Sequence, residues 1–544
     1  MRLITNQGEF ILPADFETTL SRSNIVLTDY SEQTSPITLP FVPHNLKLIG
    51  YSDRIDNYFK PISDIDIIIK SGLMVRRGNL GIHSANEDDG ISCTIYLSSA
   101  DFYSRIEEVY LPDLNWQVIK SPDYDNITLA QRVGYLIELM RAVYRREETT
   151  DEFRVAPLVT DSQITENGTS KDMVINDYRS PVIELGADYS AETFWGDLEH
   201  DITEDGSVNH VTQGYGMSPF LKLDYVLKFI FSCYDYSLDL SELYILFAQQ
   251  EYEPDEETGE PVPVPMGTPK FGRICVANNV VDAIYAGVLK YAQLVPKVLI
   301  KDFLNKVCER YAGRFVMNDV TRQARFILYR NYFSTPADLD LTQYLASKPK
   351  LQATEFKTIF INTGSSTDST GDESIDIELC ETESIVRRFN IFQTTPEQNY
   401  DVPVTMAKVS GVVNLNNTLI VDGETVDQDK KLSSDIVFIH IPEQTKYSTS
   451  TGKKIYFRQS YPDLEYEEMI YLYKEYKEFR KNSNIPVACS LTIPELVLQQ
   501  IDIHTPKILS GQLVLIESLS YSVNATDKKT VDAILRTCRP YSDR

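Results

Sequence analysis

The sequence predicts a β-rich α+β protein of several domains, with antiparallel β-barrel domains at both ends of the chain and inserted helix–strand–strand modules. Three observations predict this class. Short alternating apolar runs separated by turn residues occupy 1–120 and return in 486–541. Helical periodicity is concentrated between these two regions. At 544 residues, the chain is also too long for a single hydrophobic core.

These patterns divide the chain into four predicted regions. They are an N-terminal β-barrel-like domain (1–122), a helical and irregular connecting segment (123–215), a pair of α/β modules (216–345) and a C-terminal β-rich domain (346–544). β-Layers at both ends of the chain, with modules between them, suggest that the two ends combine in space.

The first region shows period-two alternation. Isoleucines alternate along 65–69, Ser71-Gly72 predicts a turn, and 91–97 predicts a further strand. In the second region, 126–146 predicts a helix with one apolar stripe, and Thr128 with Gln131 forms a capping-box pattern at its start. The polar, turn-rich stretch 147–215 predicts little regular structure.

The third region contains two similar units. In 218–238, Ser218-Pro219 predicts the start of a helix, and a strand follows at 236–240. In 299–329, a helix with Gly313 just after its end precedes two strands joined by a turn. We interpret the two helices as divergent copies of one module.

Two segments predict exposed loops. The stretch 251–268 between the modules is rich in Glu and Pro and predicts an exposed loop or linker. The stretch 362–373 is rich in Ser, Thr, Gly and acidic residues and predicts a mobile loop.

The fourth region is mostly strand. Short strand patterns alternate with turn clusters in 340–460, and 463–482 predicts a charged helix. Its predicted apolar side carries Tyr466, Met469, Ile470, Tyr473 and Tyr476. The end of the chain, 505–541, predicts strand, turn, long strand, turn and strand, with no catalytic pattern.

The net charge argues against one class of function. The chain has 52 Lys and Arg residues against 79 Asp and Glu residues, a net charge of −27. A protein that binds nucleic acid by neutralising phosphates needs a basic face, which this balance argues against. An acidic wall repels phosphate and would let DNA slide past without binding.

The cysteines and the N-terminus bear on the compartment. The seven cysteines are scattered, without a CxxC pair, and are Cys93, Cys233, Cys275, Cys308, Cys380, Cys489 and Cys538. We expect free thiols in a reducing compartment, with Cys233 and Cys308 acting as small apolar residues of helices. The N-terminus lacks an apolar signal-peptide core, and no run approaches the ~18 apolar residues of a membrane span.

Metal-binding patterns are weak. The six histidines are His44, His83, His200, His210, His440 and His504, and none has a ligand spacing such as HExxH. Asp422-Gly-Glu424 with Asp427 and Asp429 lacks the Gly and Glu positions of an EF-hand loop and predicts a solvated turn. We therefore assign no metal residues.

Catalytic patterns are equally scarce. No GxSxG, GxxxxGK[ST] or helix-opening GxGxxG is present, so we assign no catalytic or cofactor-binding residues and expect no cofactor. Arg76-Arg77 is interpreted as a pair of solvated turn charges, with an anion clamp as the alternative. Paired carboxylates of a glycosidase are set by space and stay open as an alternative.

Five segments carry a family resemblance. They are LPFVPHNLKLIGYSDRID (39–56), VRRGNLGI (75–82), PFLKLDYVLKFIFSCYDYSL (219–238), LVPKVLIKDFLNKVCERYAGRFVMND (294–319) and TPKILSGQLVLIESLSYSV (505–523). In content and order they resemble tail-hub or baseplate-hub-like proteins of phages and prophages of gut Bacteroidetes. Asp235 replaces the usual Gly, Ser510 an acidic residue and Val514 an aromatic one; 340–490 has no matching segment.

The resemblance implies a structural protein and no enzyme. It implies a homotrimeric tail hub whose paired β-barrels mimic a sixfold ring, capping the tail tube and holding the spike or tip protein. The implied partners are further copies of the chain, a tail tube or distal tail protein, a spike or tip protein and passing DNA. The implied location is the virion tail, after assembly in the bacterial host cytoplasm. We further expect strands at 65–69 and 512–519 to lie in one ring.

The main alternative is a carbohydrate-binding or carbohydrate-active protein. Such sites stack sugars on exposed aromatic rings, for which Trp116 and Trp195 are the candidates, together with paired carboxylates. Each tryptophan is more often a packing residue. A secreted enzyme would normally carry a signal peptide, which weighs against this alternative.

Overall fold

The computed structural model describes most of the chain. The described residues are 1–544 except 14–15, 29–32, 52–64, 98, 146–149, 167–168, 177–215, 248–251, 255–260, 264–269, 319, 352–358, 363–374, 379–382, 391–400, 414, 416–418, 422–423, 427–431, 443–444, 449–453, 465, 483, 524–527 and 539–544. Within them, the fold is β-rich α+β, which confirms the predicted class.

The N-terminal region is a set of strands with two helices. Its elements are β1 (Arg2–Thr5), β2 (Gly8–Glu9), β3 (Thr19–Ser23), β4 (Gln33–Thr34), β5 (Ile37–Leu39), α1 (Pro43–Leu48), β6 (Ile65–Ser71), β7 (Met74–Asn86), β8 (Gly90–Leu97) and α2 (Ser99–Ile106). The predicted turn is confirmed, since Gly72 has φ +56° and Ser71 pairs with Met74 across it. The predicted strands at 65–69 and 91–97 are also confirmed.

The next region combines one long helix with a hairpin. Its elements are β9 (Val118–Lys120), α3 (Leu129–Arg145), β10 (Phe153–Arg154), β11 (Leu158–Glu166) and β12 (Thr169–Ile175). The capping box is confirmed: the Thr128 amide donates to Oε1 of Gln131 at 2.9 Å, and the Gln131 amide donates to Thr128 Oγ1 at 3.3 Å.

The central region holds the two predicted units. Its elements are β13 (Phe220–Leu221), α4 (Leu223–Ser232), β14 (Ser237–Asp239), α5 (Ser241–Leu246), β15 (Tyr252–Pro254), β16 (Pro261–Pro263), β17 (Ile274–Val276), β18 (Val288–Lys290), α6 (Ile300–Arg310), β19 (Gly313–Asn318), β20 (Gln323–Leu328) and α7 (Tyr329–Ser334). The two units share one sheet, because β14 pairs in parallel with β20 and β20 pairs antiparallel with β19.

The C-terminal region contains most of the short strands. Its elements are β21 (Leu339–Asp340), β22 (Lys350–Leu351), β23 (Ile359–Asn362), β24 (Ile375–Glu378), β25 (Glu383–Asn390), β26 (Asp401–Val409), β27 (Leu419–Val421), β28 (Glu424–Val426), β29 (Phe438–His440), β30 (Thr445–Ser448), β31 (Lys454–Phe457), β32 (Tyr461–Pro462), α8 (Tyr466–Leu472), α9 (Lys474–Asn482), β33 (Pro486–Pro494), α10 (Glu495–Gln500), β34 (Lys507–Leu509), β35 (Gln512–Ser522) and β36 (Lys528–Thr537). The predicted three-strand ending is confirmed as β34, β35 and β36.

Two predicted boundaries around the helices of the central region are wrong. Helix α4 begins at Leu223 and not at Ser218-Pro219, because β13 first pairs with β10. The residue with positive φ after α6 is Ala312 (φ +49°); Gly313 lies in β19. A side chain at Gly313 would place Cβ 2.5 Å from the Ile327 carbonyl oxygen, so close strand contact requires glycine there.

Three further predictions are corrected by the structure. The stretch 147–215 is not irregular throughout, since β11 and β12 form a hairpin and β11 also pairs in parallel with β26. The predicted helix 463–482 is two helices, α8 and α9; Met469, Tyr473 and Tyr476 are buried, whereas Ile470 is exposed. The predicted loop 251–268 contains the hairpin β15–β16. The predicted loop 362–373 lies outside the described residues except for Asn362.

Strands from both ends of the chain form one sheet of fourteen strands. Its main order is β2-β1-β6-β7-β8-β4-β3-β35-β36-β33-β22. The two ends meet at β3 and β35, which pair antiparallel from Thr19–Ser522 to Ser23–Ser518. The strands at 65–69 and 512–519 therefore belong to one sheet, as predicted, although they are not neighbours in it. Among the described strands, hydrogen bonds do not close the sheet into a barrel.

The fourteen-stranded sheet is strongly curved. Six strands separate β6 from β33 in the sheet order. Even so, the turn after β6 touches the helix after β33, because a Cβ added to Gly72 would lie 2.8 Å from Glu495 Oε2. Apolar side chains of both chain ends, such as Leu20, Ile67 and Leu519, belong to one buried cluster. Burial of this shared cluster stabilises the association of the two ends.

A second hydrophobic core lies under the central region. The rings of Phe102 and Phe231 stack with centroids 4.6 Å apart, and Phe315 packs against Phe231 at 5.1 Å. These contacts join α2, α4 and β19, so the central unit is attached to the N-terminal region by aromatic packing.

Candidate functional site

The chain ends and the central unit meet at one buried asparagine. Asn24 follows β3 and is fully buried. Its Nδ2 donates to Tyr332 Oη at 2.7 Å and to the carbonyl oxygens of Ile503 and Ile516 at 2.9 and 2.8 Å. Its Oδ1 accepts from the Val26 amide at 3.1 Å. One side chain therefore connects the N-terminal region, two C-terminal segments and α7.

The segment between α10 and β34 (501–506) is held at this junction by hydrogen bonds from Arg22 and Lys507. Arg22 of β3 donates to the carbonyl oxygens of Leu498 and Ile501, each at 3.2 Å. Lys507 is buried and its Nζ lies 2.6 Å from Asp338 Oδ1 and 2.7 Å from the Asp502 carbonyl oxygen. Burial lowers the pKa of Lys507, and the neighbouring Asp338 partly opposes this shift.

A second polar contact ties α2 to the central sheet. Asp101 is buried and accepts from Arg105 Nε at 2.8 Å and from Arg322 Nη1 at 3.3 Å. Burial raises the pKa of Asp101, and the two arginines oppose the shift. The carboxylate thus bridges a helix of the N-terminal region and the residue just before β20.

A cleft of about 750 Å³ lies between these two connections. One wall is formed by β14, β19 and β20 of the central sheet. The opposite wall is the segment Gln499–His504 with Arg22, and the start of β7 closes a third side. Ligand and partner sites often form at such boundaries between packed units, so this cleft is the candidate functional site.

The mouth of the cleft carries exposed aliphatic side chains. Leu73, Val75 and Val320 line it and are 65%, 52% and 60% exposed. Leu73 and Val75 belong to the turn and strand after β6, whereas Val320 lies between β19 and β20. Because exposed aliphatic residues grouped around one concavity typically mark an interaction surface, the cleft is suited to bind an apolar segment.

The charged residues of the cleft are largely arranged in pairs. Arg325 Nη2 lies 3.0 Å from Asp502 Oδ2, and both side chains are partly exposed. Burial alone would raise the pKa of Asp502, but His504, Arg325 and Lys507 together lower it. His504 Nδ1 also forms a 3.1 Å hydrogen bond with Asn24 Oδ1. Asp502 and His504 are therefore both engaged with residues of the cleft and the junction.

The described residues contain no group of three or more His, Cys, Asp or Glu side chains able to hold a metal ion. His44 contacts the Glu9 carbonyl oxygen at 2.9 Å, and His83 contacts Thr94 Oγ1 at 2.8 Å. His504 belongs to the junction. His200 and His210 lie outside the described residues. Of the acidic turn at 422–429, only Glu424–Val426 is described, as β28.

The predicted candidates for sugar and anion binding are two tryptophans and a pair of arginines. Trp116 is buried, its Nε1 donates to the Leu111 carbonyl oxygen at 2.7 Å, and it stacks on Phe229 at 4.2 Å, so it is a packing residue. Trp195 lies outside the described residues. Arg76 and Arg77 lie within β7 and not in a turn, because β7 pairs with β6 from its first residue onward. Arg76 is buried.

The cysteines partly match their predicted environments. Six are described as free thiols, and Cys308 is buried as expected. Cys233 is exposed, because α4 ends at Ser232 and Cys233 follows its last turn. Cys380 lies outside the described residues. No helix in the described part of the chain has the length and apolarity to cross a bilayer.

Sequence reasoning missed the junction residues. Asn24, Asp502 and Asp338 are polar residues in turns or after strands, where polar residues are ordinary. Asn24 donates to Tyr332, Ile503 and Ile516, which lie hundreds of residues away in the sequence. No local sequence pattern therefore indicates these contacts. The prediction of no catalytic, cofactor or metal residues stays a prediction.

His440 on β29 gives a pH prediction. Burial, with the nearby cations Lys270, Arg273 and Arg154, lowers its pKa to about 3. Because the unfolded imidazole titrates near pH 6.5, its contribution to stability is present above that value and is lost as pH falls toward 3. We expect His440→Gln to reduce the loss of unfolding free energy on acidification by about 1 kcal/mol per pH unit. Denaturant unfolding of both proteins from pH 7 to 4 tests this; parallel curves would contradict it.

The chain is similar to known structures, among them that of a prophage tail protein. No family model matches the chain, and no curated protein matches it. The chain is similar to the crystal structure of the 43 kDa tail protein of prophage MuSo2 from Shewanella oneidensis, at 9% sequence identity and a TM-score of 0.32. The alignment covers 99% of this chain and 96% of that chain.

Proposed function

We propose that this chain is a structural component of a phage or prophage tail tip, the hub that joins the tail tube to spike or tip proteins and encloses the DNA channel. The observation that carries the proposal is the pairing of β3 with β35, which brings both chain ends into one curved sheet. A ring subunit that presents β-structure from both ends of its chain needs such a connection.

Two further features support the hub. The five segments that resemble Bacteroidetes hub proteins include strands that both chain ends contribute to this sheet, at 75–82 and 505–523. The net charge of −27 suits a channel wall that repels DNA phosphates and lets DNA pass. The proposed protein has no enzymatic role and works in the virion tail after assembly in the host cytoplasm.

The proposed partners are those that the family resemblance implies. Copies of the chain form a homotrimer, and the two sheet halves of each copy supply six similar positions around the channel. A tail tube or distal tail protein contacts one side of the ring, and a spike or tip protein contacts the other. The central α/β modules decorate the ring, with the four sequence regions serving as its domains.

The carbohydrate alternative is not proposed. Trp116, one of its two aromatic candidates, is buried against Phe229 and is not available to stack on a sugar. No specific observation in the described residues favours a glycan site over an interaction surface.

The oligomeric state tests the proposal. We expect mass photometry of the purified full chain to show a species at three times the chain mass of 62.1 kDa, in equilibrium with single chains on dilution. A species of single-chain mass at every concentration, in both low and physiological salt, would contradict the trimer.

A further inference from the structure

The hairpin of β6 and β7 is basic and apolar near its turn. Lys70 is directly opposed to Val75, and Arg77 follows two residues further along β7, so the three side chains lie on one face of the hairpin. All three are exposed, as is Leu73 in the turn between the strands. We call the surface formed by Lys70, Leu73, Val75 and Arg77 the basic patch.

The two cations of the basic patch are available to a partner. Neither Lys70 nor Arg77 forms an ion pair or a side-chain hydrogen bond with another residue that the structure describes. Asp66, the acidic residue on the same face of β6, is already bound by Arg105 Nη2 at 2.5 Å. The basic patch therefore carries a local positive charge on a chain whose net charge is −27.

The basic patch continues into the cleft. Leu73 and Val75 also line the cleft mouth, where Val320 is a third exposed aliphatic residue. Arg325, on the wall formed by β20, is 48% exposed. Its ion pair with Asp502 is partly exposed, and such pairs contribute little to stability, so Arg325 is able to bind a further carboxylate. The combined surface presents three cations around three aliphatic side chains and is complementary to an acidic segment.

The other end of β7 carries the opposite charge. Strand β7 runs for 13 residues to the turn that joins it to β8, and Glu87, Asp88 and Asp89 of this turn are exposed. The turn has a defined shape, because Asn86 Nδ2 donates to Asp89 Oδ2 at 3.0 Å and the Asp89 amide donates to Asn86 Oδ1 at 2.6 Å. Glu87 and Asp88 have no ion-pair partner among the described residues. We call the segment 86–90 the acidic turn.

The acidic turn and the basic patch of one chain are too far apart to meet. Val75 lies near the start of β7 and Glu87 lies just beyond its end. At about 3.3 Å per residue, the extended strand separates them by about 40 Å. Two unpaired surfaces of opposite charge at opposite ends of one strand are therefore suited to a contact between copies.

We propose that the acidic turn of one copy docks on the basic patch and cleft mouth of a second copy. This inference rests on the proposed function, because it names the contact that joins copies of the hub. The carboxylates of the acidic turn would lie against Lys70, Arg77 and Arg325. Burial of the aliphatic side chains at the cleft mouth would add stability that exposed ion pairs alone do not supply.

A second copy is the occupant because copies of this chain need such a contact. Each carries a net charge of −27, so copies repel one another overall, and a local contact of opposite charges offsets this repulsion and sets their orientation. The contact is heterologous, since each copy uses its acidic turn on one side and its basic patch on the other. Heterologous contacts close into a ring when the rotation between copies allows it, and three copies would use three identical contacts.

Charge reversal in the full chain tests the contact. Lys70→Glu with Arg77→Glu makes the patch acidic, whereas Glu87→Lys with Asp88→Lys makes the turn basic. Each double variant places like charges across the contact, so we expect the affinity between copies, measured by mass photometry, to fall by about tenfold or more. The variant with all four substitutions again has opposite charges across every contact and should form the trimer as the wild type does.

Lys290→Glu with Lys477→Glu is the matched control for the reversed patch. Both lysines are exposed and lie outside the basic patch and the cleft, and the change in net charge is the same. At physiological salt, where distant charges are screened, the control should change the affinity between copies by less than about twofold. Thermal unfolding should be unchanged in every variant, because the substituted side chains are exposed.

The same measurements separate this inference from the proposed function. A trimer that persists in both reversed variants would overturn the contact and leave the hub in place, as would loss of the trimer without recovery in the fourfold variant. Wild-type single chains at every concentration would overturn both. Loss in both reversed variants with recovery in the fourfold variant would support both.

Discussion

Replacement of Arg310 by methionine is expected to lower the free energy of unfolding by about 3–5 kcal/mol. The Arg310 and Asp463 side chains are 2% and 0% exposed, with Nε and Oδ2 3.2 Å apart. Arg310 Nη2 also donates to the Leu464 carbonyl oxygen at 3.0 Å, and Tyr311 Oη donates to Asp463 Oδ2 at 2.5 Å. Loss of the guanidinium would leave a carboxylate buried without its cation.

The pH dependence of this variant has a defined sign. Burial raises the pKa of Asp463, and Arg310 and Tyr311 oppose the shift. Without Arg310 the folded pKa rises further, so the carboxyl group is tolerated while protonated. The loss of unfolding free energy caused by Arg310→Met should therefore be smallest near pH 4 and should grow as pH rises.

Urea unfolding of Arg310→Met and of the double variant Arg310→Met with Asp463→Leu measures this effect. Because the double variant has no buried charge, it should recover much of the lost stability. A loss below about 1 kcal/mol for Arg310→Met, the size typical of exposed pairs, would contradict a buried ion pair between α6 and the segment before α8.

Replacement of Asn24 by leucine is expected to cost about 3 kcal/mol or more, because several buried polar groups lose their partner at once. Tyr332 and the carbonyl oxygens of Ile503 and Ile516 each accept a bond from Asn24 Nδ2. The destabilisation should be concentrated at the junction around Asn24. We expect hydrogen exchange to rise in β3 and β35, where the two chain ends pair.

Asn45→Leu is the matched control for Asn24→Leu. Asn45 is also fully buried and bonds three backbone groups, but all of these lie in Ile11 and Pro40 of the N-terminal region. Asn45→Leu should lower stability without a selective rise in exchange at β35. Equal exchange profiles for the two variants would contradict a special role of Asn24 in joining the ends.

Elements with local signals were predictable from the sequence. The hairpin of β6 and β7 follows from alternating isoleucines and a Ser-Gly turn, since strand period and turn chemistry agree. Helix α3 follows from its apolar stripe and its capping box. The unit α6, β19 and β20 follows from one apolar helical face and two short strands around a turn.

Long-range pairing was only partly predictable. The association of the two ends follows from β-patterns at both ends, but the specific pair β3–β35 has no local signal, because each strand would pair equally well with other half-buried strands. The same reason explains why β11 and its pairing with β26 were missed. The cleft depends on the packing of three separate segments, which no single pattern in the sequence specifies.

Single-particle electron microscopy of the purified full chain tests the hub most directly. The proposed function predicts a threefold ring with a central channel, in which each subunit contributes two similar β-layers joined through β3 and β35 and the ring shows pseudo-sixfold symmetry. A compact single subunit with a deep cleft lined by carboxylates and aromatic rings would contradict the hub and direct the next experiments to glycan binding.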